Sequence, residues 1–258
     1  MKTENNKIEE ERGYNIVKHN DLIQKAHYNL SMQEQKIILY LISKIKPQDD
    51  DFHLYEFKIK DFCEICGIDE KNGKNYITLK NTIKNLTDKS NWVIIKDDKG
   101  KEAETLVRWI EKPYIYAKSG IIKIRLDKDM KPYLLKLKER FTMYNLYFTL
   151  AMKSKYSLRI YELLKSYQNL NKCEFDIEEL KKLLFTEKYK LFTNFKKDVI
   201  DTAMREINDY SDISVTYELE KEGRKFHKIK FLITPKYKQD IDESIKTWKN
   251  IAKILNKN

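Results

Sequence analysis

Residues 67–86 read GIDEKNGKNYITLKNTIKNL: two glycines, a Gly-Lys pair, then an apolar rhythm. Two structures compete for this stretch. A phosphate-binding loop needs four residues between its glycines, then Lys and a hydroxyl side chain to hold magnesium. Here five residues separate Gly67 from Gly73, and Asn75 follows Lys74. The preceding DFCEICGI is too polar, and too poor in β-branched residues, for the buried parallel strand from which such a loop grows. The alternative is a turn between two helices. Gly67 then ends a helix, because glycine is favoured just past a helix end. Residues 68–73 make the turn, and Lys74 leads into a longer helix with Tyr76, Leu79, Ile83 and Leu86 along one face.

The rest of the chain supports the second reading by repeating it. Residues 57–66, FKIKDFCEIC, match residues 175–184, FDIEELKKLL, in the pattern Phe-x-Ile-x-x-(Phe/Leu). Each reads as a short helix entered from an extended segment. A basic turn and a longer helix follow each copy. In the second, Phe192, Phe195, Val199 and Ala203 form the apolar face, and Tyr76 pairs with Phe192, Leu79 with Phe195, Lys80 with Lys196 and Ile83 with Val199 at a constant offset. A β-hairpin comes next: WVIIKDD with ETLVRWIEKPYIYAKSGIIKIRL in the first half, and ISVTYELEKEGRKFHKIKFLI, turning at Glu222-Gly223, in the second. Another helix stands upstream of each, SMQEQKIILYLISKI at 31–45 and KYSLRIYELLKSYQ at 155–168. The order helix, helix, turn, helix, hairpin predicts an α+β protein made of two tandem winged helix-turn-helix domains related by an internal repeat. Boundaries are expected at 15–140 and 141–236. A flexible N-terminal segment, 1–14, is expected before them, and an amphipathic helical tail, 237–258, after them with Ile241, Ile245, Trp248, Ile251 and Leu255 on one face.

In this fold the longer helix of each copy is the one that enters a major groove. Its outer side in the first copy carries Lys74, Thr78, Asn81 and Asn85; in the second it carries Lys190, Asn194, Lys197 and Asp201, with Thr193 beside them. Neither window, 71–84 nor 188–197, contains an acidic residue, and each contains four lysines. The helix dipole favours a carboxylate at its N-terminus. A lysine-rich start without one predicts that an external phosphate supplies the charge. Lys71, Lys74, Lys80, Lys188, Lys190 and Lys196 are candidate phosphate contacts. Asn81 or Asn194 can pair with adenine through N6 and N7, Lys197 joins Asn194 as a candidate for setting base preference, and Thr78 or Thr193 can meet a thymine methyl or a phosphate. The hairpin tip offers Arg224, Lys225 and His227, and an Arg there suits a narrow minor groove.

Composition agrees. The 258 residues carry 51 Lys and Arg against 40 Asp and Glu, a net charge of +11, which favours an anionic partner. No run of 18 apolar residues exists, so no membrane span is predicted. The charged start, MKTENNKIEEERGY, has no apolar core and is not expected to act as a signal peptide. With three cysteines the chain is expected in the reducing cytoplasm. Cys63 and Cys66 form a C-x-x-C without the second pair a zinc site needs, so no metal or other cofactor is expected. A rolling-circle nicking enzyme would need a metal-binding His pair. The four histidines, His19, His27, His53 and His227, form no such cluster, so catalysis is not expected.

Three segments then point to a family. HNDLIQKAHYNLSMQEQKIILYLISKI (19–45), DMKPYLLKLKERFTMY (129–144) and SKYSLRIYELLKSY (154–167) closely resemble the iteron-binding plasmid replication initiators, the Rep proteins with tandem winged-helix domains. FKKDVIDTAMREIN, with the Gly-Arg-Lys hairpin tip, is similar to their C-terminal DNA-reading domain. The most specific parts are Leu30 to Lys36 and Ser157 to Leu164, and the likeness spans about 15–235. The resemblance implies binding to directly repeated origin DNA as a monomer, opening of an adjacent A+T-rich tract, and recruitment of the host initiator and replicative helicase. It also implies a dimer that binds an inverted repeat and represses its own gene. The second domain would be the main reader and the first would add DNA contacts and the dimer interface. Only seven of the basic residues are Arg, and few lie on the second recognition helix, which points to A·T contacts over guanine reading. A winged-helix repressor with no replication role is the alternative that the sequence leaves open.

Overall fold

The computed structural model describes residues 15–66, 74–96 and 101–237. The N-terminal 1–14, Gly67, the turn through Gly73 with Lys71, and the tail beyond Tyr237 lie outside the described residues. The chain divides into two compact units.

In the first unit the described order is β1 (Asn15–His19), α1 (Asn20–Gln24), α2 (Met32–Ile42), β2 (Tyr55–Lys58), α3 (Ile59–Cys66), α4 (Lys74–Asp88), β3 (Ser90–Lys96), β4 (Glu102–Arg108), β5 (Tyr114–Tyr116), β6 (Ile121–Ile124), α5 (Lys131–Leu134), β7 (Phe141–Asn145) and α6 (Leu146–Leu150). The second unit has α7 (Lys155–Ser166), β8 (Lys172–Asp176), α8 (Ile177–Leu183), α9 (Phe192–Phe195), a π-helical segment (Lys196–Asp201), α10 (Thr202–Tyr210), β9 (Ile213–Glu222) and β10 (Lys225–Pro235). The last helix runs unbroken from 192 to 210. The repeat read from the sequence is present in both units, since β2–α3 and β8–α8 each carry a strand straight into a short helix.

The upstream helix of each unit is its central beam. Every residue of α2 from Glu34 to Ile42 is buried, as is every residue of α7 from Ser157 to Leu164. A helix with no solvent face must satisfy its polar members internally. Ser31 and Glu34 do so at the start of α2 through a capping box, in which Ser31 accepts from the Glu34 amide while Glu34 accepts from the Ser31 amide at 2.6 Å. Glu34 also holds Lys89, at the end of α4, at 2.6 Å. Lys36 donates from Nζ to the Leu150 carbonyl at 2.8 Å. In α7, Arg159 lies over the Tyr28 ring, 4.4 Å from its centre, and 3.8 Å from Glu162. Glu162 accepts from the Tyr28 hydroxyl. Burial drives the Tyr28 phenol well above its ordinary range, so it stays a donor. Tyr28 belongs to this unit because residues 27–29 pack with it.

Two expectations need correction. The units part at 150/151, not at 140/141. Strand β7 pairs antiparallel with β1 over its whole length, from Phe141 opposite His19 to Asn145 opposite Asn15, and that ladder keeps 141–145 in the first unit. The first hairpin also divides. Strands β3 and β4 form a two-stranded ribbon of their own, while β5 and β6 join β2 in the order β2-β6-β5. The break falls where alternation fails: Trp109 and Ile110 are both fully buried in succession, and Pro113, which lacks an amide hydrogen, follows. The second unit's sheet has the order β8-β10-β9. By topology, β5–β6 is therefore the counterpart of the β9–β10 wing, and β3–β4 is an addition to the first unit.

Cys63 is buried inside α3, and burial pushes the Cys173 thiol up to about 12. Both thiols are covered, and Cys173 stays protonated. A thiol reagent at mildly alkaline pH is expected to leave Cys63 and Cys173 unmodified in the folded protein and to label both in urea, read by peptide mass spectrometry. Fast native labelling of Cys173 would contradict its burial.

Candidate nucleic-acid interface

The second recognition helix begins at Leu191, which caps it without a side-chain hydrogen bond, and its first turn holds no acidic residue. The inner face is closed: Phe195, Val199, Ile200, Ala203 and Ile207 are fully buried. Thr193, Asn194 and Lys197 are exposed on the outer face, and Lys188 and Lys190 are exposed on the approach. The π segment gives this helix one more residue than the first copy needs between matching buried positions, and it re-aims the outer start relative to the packed end.

Lys196 has an internal partner. Its ammonium bonds Asp201 at 2.8 Å across the π segment, and the Tyr217 hydroxyl of β9 donates to the same carboxylate at 2.6 Å. Desolvation raises the Asp201 carboxyl, but the bonds from Lys196 and Tyr217 outweigh it and the net shift is downward. The network fixes the helix to the wing strand. At the wing tip, Gly223 takes a φ of 62°, a left-handed turn position that suits glycine. Arg224 and Lys225 are exposed there. Phe226 packs on Phe192 with ring centres 4.7 Å apart, and Lys221 lies 4.9 Å from the Phe226 ring centre. That aromatic contact brings the wing tip to the start of the recognition helix. A register shift between Phe226 and Lys228 re-aims His227, which lies 3.2 Å from Asp176.

The second unit thus gathers Lys188, Lys190, Thr193, Asn194, Lys197, Arg224 and Lys225 around one helix start, while Lys196 and His227 are engaged with carboxylates. In the first unit, Lys74 is the first residue of α4, and Thr78, Lys80 and Asn81 are exposed opposite the buried Leu79, Ile83 and Leu86. Sequence reasoning missed Ile77, 61% exposed beside Thr78, and Lys84 on the same side. Both lie off the apolar stripe of α4, the signal that could have found them.

Two family descriptions match this chain, "Initiator Replication protein, WH1" over residues 15–165 and "Initiator Rep protein, WH2" over residues 176–233. The chain belongs to the initiator replication protein family. The "PI protein" of Escherichia coli is 34% identical over 131 residues, 43% of this chain and 43% of the relative. A "Replication initiation protein" of Escherichia coli is 26% identical over 211 residues, 77% of this chain and 63% of the relative. The chain therefore spans less than two thirds of the length of either curated relative. The crystal structure of a Pi initiator protein in complex with iteron DNA aligns with 87% of this chain and 98% of its own at 24% identity, with a TM-score of 0.68. That likeness shows the fold, two tandem winged helices. Among the described residues no helix is long and apolar enough to cross a membrane.

Proposed function

We propose that this protein starts plasmid replication by binding directly repeated origin DNA as a monomer, without catalysis. It helps open the origin, brings in the host initiator and replicative helicase, and as a dimer represses its own gene. The observation that carries the reading is the acid-free, lysine-rich start of the second recognition helix, held against a basic wing tip by Phe192 and Phe226. Lys188 and Lys190 meet phosphates, Arg224 and Lys225 follow the backbone or minor groove, and Asn194 with Lys197 reads base edges. Thr78, Lys80 and Asn81 do the same work in the first domain, where Ile77 adds apolar surface suited to a thymine methyl. The second domain is the main reader; the first supplies further DNA contacts and the dimer interface.

Titration of the protein against duplex from upstream of its own gene, beside scrambled duplex, tests the reading. A repeat bound roughly 10³-fold better than scrambled DNA, one protein per repeat, supports it. Binding to an inverted repeat alone would assign a repressor instead. Asn194→Ala is expected to cost about 1–3 kcal/mol on the cognate repeat and to relax preference at one base pair. Unchanged affinity and preference would place the reading face elsewhere.

A further inference from the structure

Phe226 stands in a hairpin tip that is otherwise polar, Lys221-Glu222-Gly223-Arg224-Lys225. Strict alternation back from the buried Ile233, Phe231 and Ile229 would turn His227 inward and Phe226 out to solvent. The register shift between Phe226 and Lys228 reverses this. Ile229 lies opposite Leu219, and Phe226 lies opposite Lys221, two residues further along β9 and so on the same face. The extra residue turns the Phe226 ring onto the helix side of the sheet. There it meets Phe192, with ring centres 4.7 Å apart and planes tilted by 33°.

This contact holds a part of the hairpin that little else holds. Strand β8 pairs with β10 only from Lys228 to Leu232, so the tip beyond Lys228 is two-stranded. A two-stranded ribbon on its own is marginal in water. Phe192 in turn stands 6.3 Å from the fully buried Phe195, and Phe195 stands 6.4 Å from Tyr189. Aromatic pairs at such separations attract beyond the area they bury. Three segments are keyed to this one cluster: the approach with Lys188 and Lys190, the helix start with Thr193 and Asn194, and the wing tip with Arg224 and Lys225.

We propose that Phe192 and Phe226 are positioning residues that set the wing tip in place before DNA arrives, so that Arg224 and Lys225 reach DNA only while the two rings are in contact. The inference deepens the proposed reading of this helix and wing, and rests on it for the DNA contacts. A tip placed in advance loses little further freedom on binding.

The test follows the salt dependence of binding by the full chain, using anisotropy with a duplex carrying the repeats and a scrambled duplex. Phe226→Ala removes no charge. It is nevertheless expected to lower the slope of log affinity against log salt by about 1.8 on both duplexes, 0.9 for each of Arg224 and Lys225. Phe192→Ala should do the same, and Phe226→Tyr, which keeps the ring, should retain the wild-type slope. Arg224→Ala with Lys225→Ala should lower the slope equally, and adding Phe226→Ala to that pair should lower it no further. Loss of folded protein reduces the active fraction and leaves the slope alone, so the slope separates positioning from stability. An unchanged slope in both alanine variants, or a further fall when Phe226→Ala joins the wing pair, overturns the proposal. The initiator reading is judged by the wild-type preference for the repeats: its absence would sink that reading, while a ring-dependent slope on both duplexes would still uphold the clamp.

Discussion

Arg159→Ala is expected to destabilise the second domain by about 3–5 kcal/mol, the largest effect of any single change considered. Arg159 and Glu162 are 5% and 1% exposed, and they share the Tyr28 side chain, ring on one and hydroxyl on the other. Truncating the guanidinium leaves a buried carboxylate with its opposite charge gone. The cost is the desolvation of that carboxylate, which its partner had offset. The readout is hydrogen exchange of the α7 amides, which should lose protection, together with a lower urea midpoint for this domain. The double variant Arg159→Met with Glu162→Leu removes both charges and fills the space, so it should recover most of the loss. A single variant within about 1 kcal/mol of wild type would mean that water reaches the cluster and the pair is in effect a surface one.

The second large effect is on DNA. Replacing Lys188 and Lys190 together by Ala should make log affinity fall less steeply with log salt, by about 1.8 in slope, since each phosphate contact contributes about 0.9. Both side chains are exposed, and neither is paired with a carboxylate by a described ion pair. Folding should be little affected, because exposed lysines outside ion pairs contribute little to stability. Lys196→Ala is the informative control. Its ammonium is held by Asp201, so it should change the slope little while loosening the contact between helix and wing strand. A salt slope that moves as much for Lys196 as for its neighbours would show that the Asp201 bond opens when DNA arrives.

Much of this was legible in the sequence, for definable reasons. The repeat survived because buried positions recur with the helical period, and Leu79, Ile83, Phe195 and Val199 are all in the core. The exposure of Thr78, Asn81, Asn194 and Lys197 followed from the same period. What could not be read was pairing. Alternation announces strands but does not say which strand lies beside which, so the β3–β4 ribbon and the β5–β6 wing merged into one hairpin. The fates of Lys196 and His227 depended on carboxylates five residues away across a π segment, or on a neighbouring strand, at positions that regular periodicity does not place together. The boundary near 140 failed for a similar reason, since the partner of β7 lies at the other end of the domain.

The two stretches by which this chain is most easily recognised, Leu30 to Lys36 and Ser157 to Leu164, belong to the two buried beams. Kinship in this family is therefore recorded where no DNA is touched. The residues proposed to choose a DNA word sit on the outer faces, where substitution costs the scaffold little and drift is cheap. Two plasmids can carry initiators alike in every recognisable motif and still ignore each other's origins, living side by side in one cell. Compatibility between such plasmids should track Thr193, Asn194 and Lys197, and overall resemblance should be a poor guide to it.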